Sequence, residues 1–167
     1  MEEKQAGSLG INYESGFQPF QQGIVMGRPR KKRTIAQEVE FVAVLIQKVR
    51  RLEEADEFGM CVCVTCGKRR RWNDNMDGGH FISRNNKSTK LIEWQIWPQC
   101  KGCNKWKMKD SAYVLRFRNY VISVHGEAFV AWLERQARKT CKYNRGELEI
   151  LRIDLNSRIR VLEKQYE

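Results

Sequence analysis

The chain has no long hydrophobic run. Its uninterrupted apolar stretch from Phe41 to Ile46 is six residues, and none is longer. A membrane-spanning helix needs about 20, so no bilayer span and no membrane partner are expected. The start of the chain, from Met1 to Gly10, is acidic and has no apolar h-region, so secretion is not expected and a cytoplasmic setting is. Acid is in short supply overall: 20 Asp and Glu face 31 Lys and Arg, a formal net charge of +11. Such a surface repels other cations and attracts polyanions, with nucleic acid ahead of membrane. Histidine is scarce, with only His80 and His125 present. There is no internal repeat. The six cysteines are poor material for disulfides in a reducing compartment, and their paired spacing argues for metal instead.

At 167 residues the chain suits one compact domain with a tail. Residues 1–33 are rich in Gly, Gln, Ser and charge and end in Gly27-Arg28-Pro29-Arg30-Lys31-Lys32-Arg33. This reads as a flexible basic tail, with Arg28, Arg30, Lys31, Lys32 and Arg33 as candidate DNA contacts or as a solvated linker. Over 34–58 the recurrence of Val39, Val42, Ile46 and Val49 predicts an amphipathic helix, capped by Thr34, reaching about Phe58 and stopped by Gly59. Residues 59–110 hold glycines, an Asn/Asp cluster and the β-rich Leu91 to Trp97, predicting a loop and two short strands. Over 111–167 helices return. Asp110 or Ser111 caps one with a Val114, Phe117, Val121, Val124 stripe ended by Gly126; a second carries Phe129, Trp132 and Leu133. A third repeats Leu148, Leu151, Leu155, Ile159 and Leu162, a core face or a dimer seam.

Cys63-x2-Cys66 and Cys100-x2-Cys103 form two knuckles separated by 33 residues. Each places two thiolates on one tight turn, and two such turns complete the tetrahedral sulfur set that zinc accepts. A redox CxxC normally occurs once, on a βα unit, so a structural Zn²⁺ is expected. Four thiolates leave two net negative charges on the cluster, which Lys68, Arg69, Arg70, Lys101 and Lys105 are placed to offset. Cys61 reads as a packing residue and Cys141 as an ordinary cysteine. His125, just before a helix-ending glycine, reads as structural. His80 differs, because it follows Asp77-Gly78-Gly79 inside the clamp and precedes Arg84 and Lys87, while Asn104 and Lys107 follow the last cysteine.

A Gly-His after the first knuckle and a Cys-Asn-x2-Lys at the second resemble a zinc-clamped HNH nuclease. The ordered set Cys63-Val-Thr-Cys-Gly67, Asp77-Gly-Gly-His-Phe-Ile-Ser-Arg84 and Gln95 to Asp110, with a Tyr-Val-Leu helix after it, resembles the NinG/Rap family of lambdoid phage recombination endonucleases over roughly residues 58–130. The resemblance implies an α+β protein: a zinc-stabilised, HNH-like ββα-metal core framed by N-terminal and C-terminal α-helices. It also implies cleavage of branched DNA, such as Holliday junctions and strand-invasion intermediates, in the host cytoplasm if the chain is phage-encoded. His80 matches the family's histidine, Asn104 the ligand after the last cysteine, and the four cysteines the zinc set. Two positions depart from the common HNH pattern. Gly79 stands where many members have an acid, which makes Asp77 the carboxylate ligand. Gln95 stands where the middle Asn is usual.

Phosphodiester hydrolysis needs a nucleophilic water, neutralisation of phosphoryl charge and help for the leaving oxygen. A neutral His80 can take a proton from water. Asp77 and Asn104 offer hard oxygens suited to Mg²⁺ or Mn²⁺. Arg84 and Lys107 are candidate phosphate clamps or plain solvated charges. Of Trp72, Trp94, Trp97 and Trp106, most are expected in the core, and one exposed ring can stack on an unpaired base. Two symmetrical cuts in a junction suit a homodimer. The alternative reading is a noncatalytic, zinc-dependent DNA-binding or recombination accessory module.

Overall fold

A computed structural model describes residues 32–166, so Arg28, Arg30, Lys31 and the rest of the basic tail before Lys32 lie outside the described residues. Helix α1 spans Ile35–Glu53. Thr34 caps it reciprocally: its Oγ1 accepts from Gln37 N at 3.2 Å while Gln37 Oε1 accepts from Thr34 N at 2.9 Å, a box typically worth about 1 kcal/mol. The expected stripe is buried, joined by Ala43, Leu45 and Leu52. The helix ends five residues before Phe58 because Asp56 competes for the backbone. Its Oδ1 accepts from Phe58 N at 3.0 Å and Met60 N at 2.8 Å, and Gly59 completes the turn at φ +73°.

Four short strands follow. β1 (Met60–Val62) pairs antiparallel with β2 (Arg69–Arg71). β3 (Met76–His80) pairs antiparallel with β4 (Ile96–Cys100), in the register Met76 to Cys100, Asp77 to Gln99 and His80 to Ile96. The stretch expected to be strand from Leu91 is strand only from Ile96. Glu93–Gln95 is a 3-10 turn, because the Gln95 side chain is fully buried and turned back onto the preceding loop. A five-residue helix, α2 (Lys101–Lys105), leaves β4 directly with Cys100 as its N-cap. Lys-Gly-Cys-Asn-Lys has no apolar period, so nothing in its pattern announced it.

Asp110 caps α3 (Ser111–His125) by accepting from Ala112 N at 2.8 Å. Gly126, at φ +82°, turns the chain into α4 (Glu127–Ala137). Of the expected α3 stripe only Phe117 and Val121 are buried, whereas Val114 and Val124 are exposed. Asn144 caps α5 (Arg145–Glu163). Its Leu148, Leu155 and Ile159 join α1 and Ile96 in one core, so this stripe is filled within the chain and is not left as a dimer seam. A second core sets Trp97 against Phe117, Val121 and Val130. The β3–β4 hairpin thus lies between α1 on one face and α3–α4 on the other.

Successive arginines of α1 grip the two outer edges of that hairpin. Arg50 Nε donates to Ile96 O at 3.2 Å, and Arg51 Nη1 donates to Met76 O at 2.7 Å. Between them α1 lies so close that a Cβ on Gly78 would stand 2.7 Å from Gln47 Cβ and 2.8 Å from Gln47 Cα. Among the described residues no helix is long and apolar enough to cross a membrane.

Candidate metal centre and histidine loop

The first knuckle is the turn between β1 and β2. Gly67 N donates to Cys63 O at 2.8 Å and Cys63 N to Lys68 O at 2.9 Å, with Gly67 at φ +73°. The second knuckle is the junction of β4 and α2. Val64 N donates to Pro98 O at 3.0 Å, so the first turn is stitched to the outer edge of β4, and all four sulfurs converge. Cys63, Cys66, Cys100 and Cys103 present sulfur atoms within 4.8 Å of one another, with Cys66 Sγ and Cys100 Sγ 3.7 Å apart. A tetrahedral sulfur set with bonds of about 2.3 Å has edges of about 3.8 Å. The cluster is positioned to hold a metal ion, and both its dimensions and its soft donors suit structural zinc.

The thiols are poorly matched to one another as bare groups. Burial, then the neighbouring Cys66 and Cys100 sulfurs, push Cys103 far above the ordinary thiol range, and burial also raises Cys66. Burial acts upward on Cys63 too, but hydrogen bonds from the backbone at Cys100, Cys66 and Thr65 outweigh it and lower that thiol. A cation removes the conflict by favouring thiolate at every position. Cys61 stays apart: its Sγ donates to Arg51 O at 3.0 Å, and burial pushes its thiol up to about 11, a packed, inert cysteine.

Asp77 and Asn104 meet beside this cluster. Asp77 leaves β3 toward α2, and Asn104 Nδ2 donates to Asp77 Oδ2 at 3.0 Å. Asp77 Oδ1 and Asn104 Oδ1 remain for another partner, two hard oxygens of which the second directly follows the last cysteine in sequence.

His80 is the last residue of the same strand. By strand alternation it projects from the face opposite Asp77 and Gly79. Its Nε2 lies 3.0 Å from Lys90 O, so the tautomer with the proton on Nε2 donates there and leaves the Nδ1 lone pair free. Burial lowers its pKa to about 4, with Arg84 and Lys90 adding to the drop and the Lys90 carbonyl and Glu40 opposing it. The ring is therefore neutral at physiological pH. The segment that carries the Lys90 carbonyl is held twice. Gln95 Oε1 accepts from Ile82 N at 2.8 Å while Gln95 Nε2 donates to Thr89 O, spanning the loop. Lys90 Nζ bonds Glu40 of α1, holding the Glu40 carboxyl below its usual range against the opposing effect of burial.

The glycine before His80 has a packing reason. A Cβ on Gly79 would stand 1.9 Å from Gln99 Oε1. Gln99 is fully buried, donates to Thr65 Oγ1 at 2.6 Å, and has no partner for that oxygen among the described residues. The acid familiar at position 79 is thus displaced by an amide reaching across from β4. Gln99 was missed in the sequence because its role depends on the register that sets it opposite Asp77.

Arg84 Nη2 bonds Glu40 Oε2 at 2.9 Å in an exposed pair. Lys107 Nζ rests on Tyr113, 2.8 Å from the hydroxyl and 4.6 Å from the ring centroid. Lys32 and Arg33 are exposed, and Arg33 pairs with Glu38 at 3.4 Å. His125 packs between Trp97 and Phe129, a structural setting.

Residues 28–167 match the family described as Bacteriophage Lambda NinG protein. The chain belongs to the NinG family. This is a family of phage recombination-related proteins, and the match reaches well beyond residues 58–130 to take in the Arg28 to Arg33 run and all five helices. No curated protein and no solved structure matches the chain. NinG membership places the chain in recombination; the chemistry rests on its own residues.

Proposed function

We propose that this NinG-family protein is a metal-dependent endonuclease that hydrolyses phosphodiester bonds in branched DNA. The observation that carries the reading is the Asp77–Asn104 contact, hard oxygens set by the same hairpin and helix that gather four thiolates. In this reading residues 59–110 are the catalytic unit, 34–58 and 111–167 brace it, and the basic run within 1–33 contacts DNA phosphates. Asp77 and Asn104 fit Mg²⁺ or Mn²⁺, which typically keeps several waters and takes only one or two protein ligands. Bound there, such an ion supplies Lewis-acid stabilisation of the phosphoryl and leaving oxygens.

The chain's own residues supply the rest. His80 accepts the proton of the attacking water at Nδ1, because Nε2 is committed to Lys90 O. Gln95 and the Glu40–Lys90 pair hold that carbonyl, and hence the ring plane, without touching substrate. Lys107 offers charge to the phosphate next to the cut.

A noncatalytic zinc-dependent DNA-binding module is the second reading. What favours it is the half-buried His80 ring on the strand face opposite Asp77. Single-turnover cutting of a four-way junction in Mg²⁺ by wild type, Asp77→Ala and His80→Ala separates the two. Loss of cutting with retained binding in both variants supports the nuclease. Binding without cutting in wild type supports the module.

A further inference from the structure

Four tryptophans surround the clamp, and the structure separates them. Trp97 is 4% exposed and Trp72 half-buried, whereas Trp94 and Trp106 are 56% and 72% exposed. Trp106 closes α2: its N–H donates to Gly102 O at 3.2 Å, and its indole projects into solvent two residues after Asn104. A single exposed apolar side chain needs no explanation. The charge around this one does.

Lys101, Lys105, Lys107 and Lys109 are all exposed on α2 and the turn after it. Among the described residues none of them pairs with a carboxylate. Arg116 and Lys107 both lie over the Tyr113 ring, at 5.2 and 4.6 Å, so one of the lysines that flank Trp106 in the chain shares an aromatic ring of α3 with a second cation. Around the other exposed ring, Trp94, the cations are neutralised: Arg50 binds Glu53 and Glu54, and Arg158 binds Glu53, Glu93 and Asp154. Trp94 sits in that neutralised region, next to Glu93, with the Arg50 guanidinium 5.6 Å from its ring and His125 edge-on at 6.2 Å. Of these two exposed rings, Trp106 is the one flanked in the chain by unneutralised lysines.

An aromatic face flanked by cations fits a base together with its flanking phosphates. In continuous duplex both faces of each base are covered by stacking, so only an unpaired or branch-point base can present one. We propose that Trp106 is a stacking platform for an unpaired base next to the bound phosphate, and that it biases the protein toward strand discontinuities over continuous duplex. The inference rests on the nuclease reading only in placing that phosphate at Asp77 and Asn104.

The test uses the full chain without added Mg²⁺ or Mn²⁺. The probes are a four-way junction carrying 2-aminopurine at the branch point and a continuous duplex of the same sequence. Wild type is expected to quench the branch-point fluorophore. Trp106→Ala should lose that quenching and weaken junction binding by on the order of ten- to a hundred-fold, while duplex affinity moves less than about twofold. Trp106→Phe should keep most of the preference, and Trp94→Ala should behave as wild type. Equal losses on junction and duplex, or no loss on either, overturn the proposal. Junction cleavage in Mg²⁺ is scored separately: quenching through Trp106 without cutting sinks the nuclease and leaves the platform, whereas cutting and binding by Trp106→Ala at wild-type preference sinks the platform and leaves the nuclease.

Discussion

The two ends of the β3–β4 hairpin are secured by different means. At the Met76–Cys100 end four thiolates converge, and Asp77 and Asn104 stand beside them. At the His80–Ile96 end there is no metal cluster among the described residues. The loop between the strands is held by one buried amide, Gln95, and by Lys90 reaching Glu40 on α1. The first end gathers donors positioned to hold a cation, and the second rests on hydrogen bonds between side chains and backbone. Removing metal and removing side chains should therefore break the molecule in separable ways.

The largest effect is expected at the metal end. Cys100→Ser, or stripping with a strong chelator, should unfold the hairpin, because structural zinc contributes folding free energy directly. Circular dichroism beside elemental analysis checks this: a folded, zinc-free protein would show that the thiols are not a structural site. Next come the functional side chains. Asp77→Ala and His80→Ala should each slow single-turnover cleavage by about two to four powers of ten, with zinc content and junction binding unchanged. His125→Ala should cut normally.

Smaller effects sharpen the contrast between the two faces of the hairpin. Gly78→Ala should destabilise by about 1–3 kcal/mol in a denaturant melt, since the new methyl meets the α1 backbone at Gln47. A wild-type midpoint would mean α1 yields freely. The mildest effect is a pH dependence at the loop end. The folded-state pKa of His80 is lowered from 6.5 to about 4, so below about pH 6.5 the unfolded chain binds a proton that the folded ring refuses. Its stability contribution is full above pH 6.5 and is lost as pH falls toward 4. Burial sets that window, and Arg84, Lys90 and Glu40 facing the ring adjust it. His80→Ala should flatten the melting-temperature profile over this range, and an unaltered profile would assign the acid sensitivity elsewhere.

Much of this was legible in the sequence because its signals are local. Two CxxC spacings announce a sulfur cluster, Thr34 and Gln37 announce a helix start, and the leucines of α5 announce a buried face. What escaped notice depends on contacts between distant segments. The end of α1 was misplaced because the Asp56 carboxylate draws the Phe58 and Met60 N–H groups away from a helical pattern. Helix α2 has no period to detect. Gly78 and Gly79 read as freedom of the backbone, yet each is required by a side chain from elsewhere, Gln47 of α1 and Gln99 of β4. Arg84 reads in sequence as a phosphate clamp or a solvated charge, and its partner Glu40 lies 44 residues earlier.

The most direct test of a hairpin with a metal end and a histidine end serving one reaction is single-turnover cleavage of a four-way junction in Mg²⁺. Wild type, Asp77→Ala, His80→Ala and the double variant are compared, with binding and zinc content measured in parallel. If both residues serve one chemical step, the double variant should be scarcely slower than the worse single variant, because groups acting as a unit are strongly non-additive. Rates for the two single variants that match wild type, with binding intact, would contradict the assignment of the reaction to this hairpin.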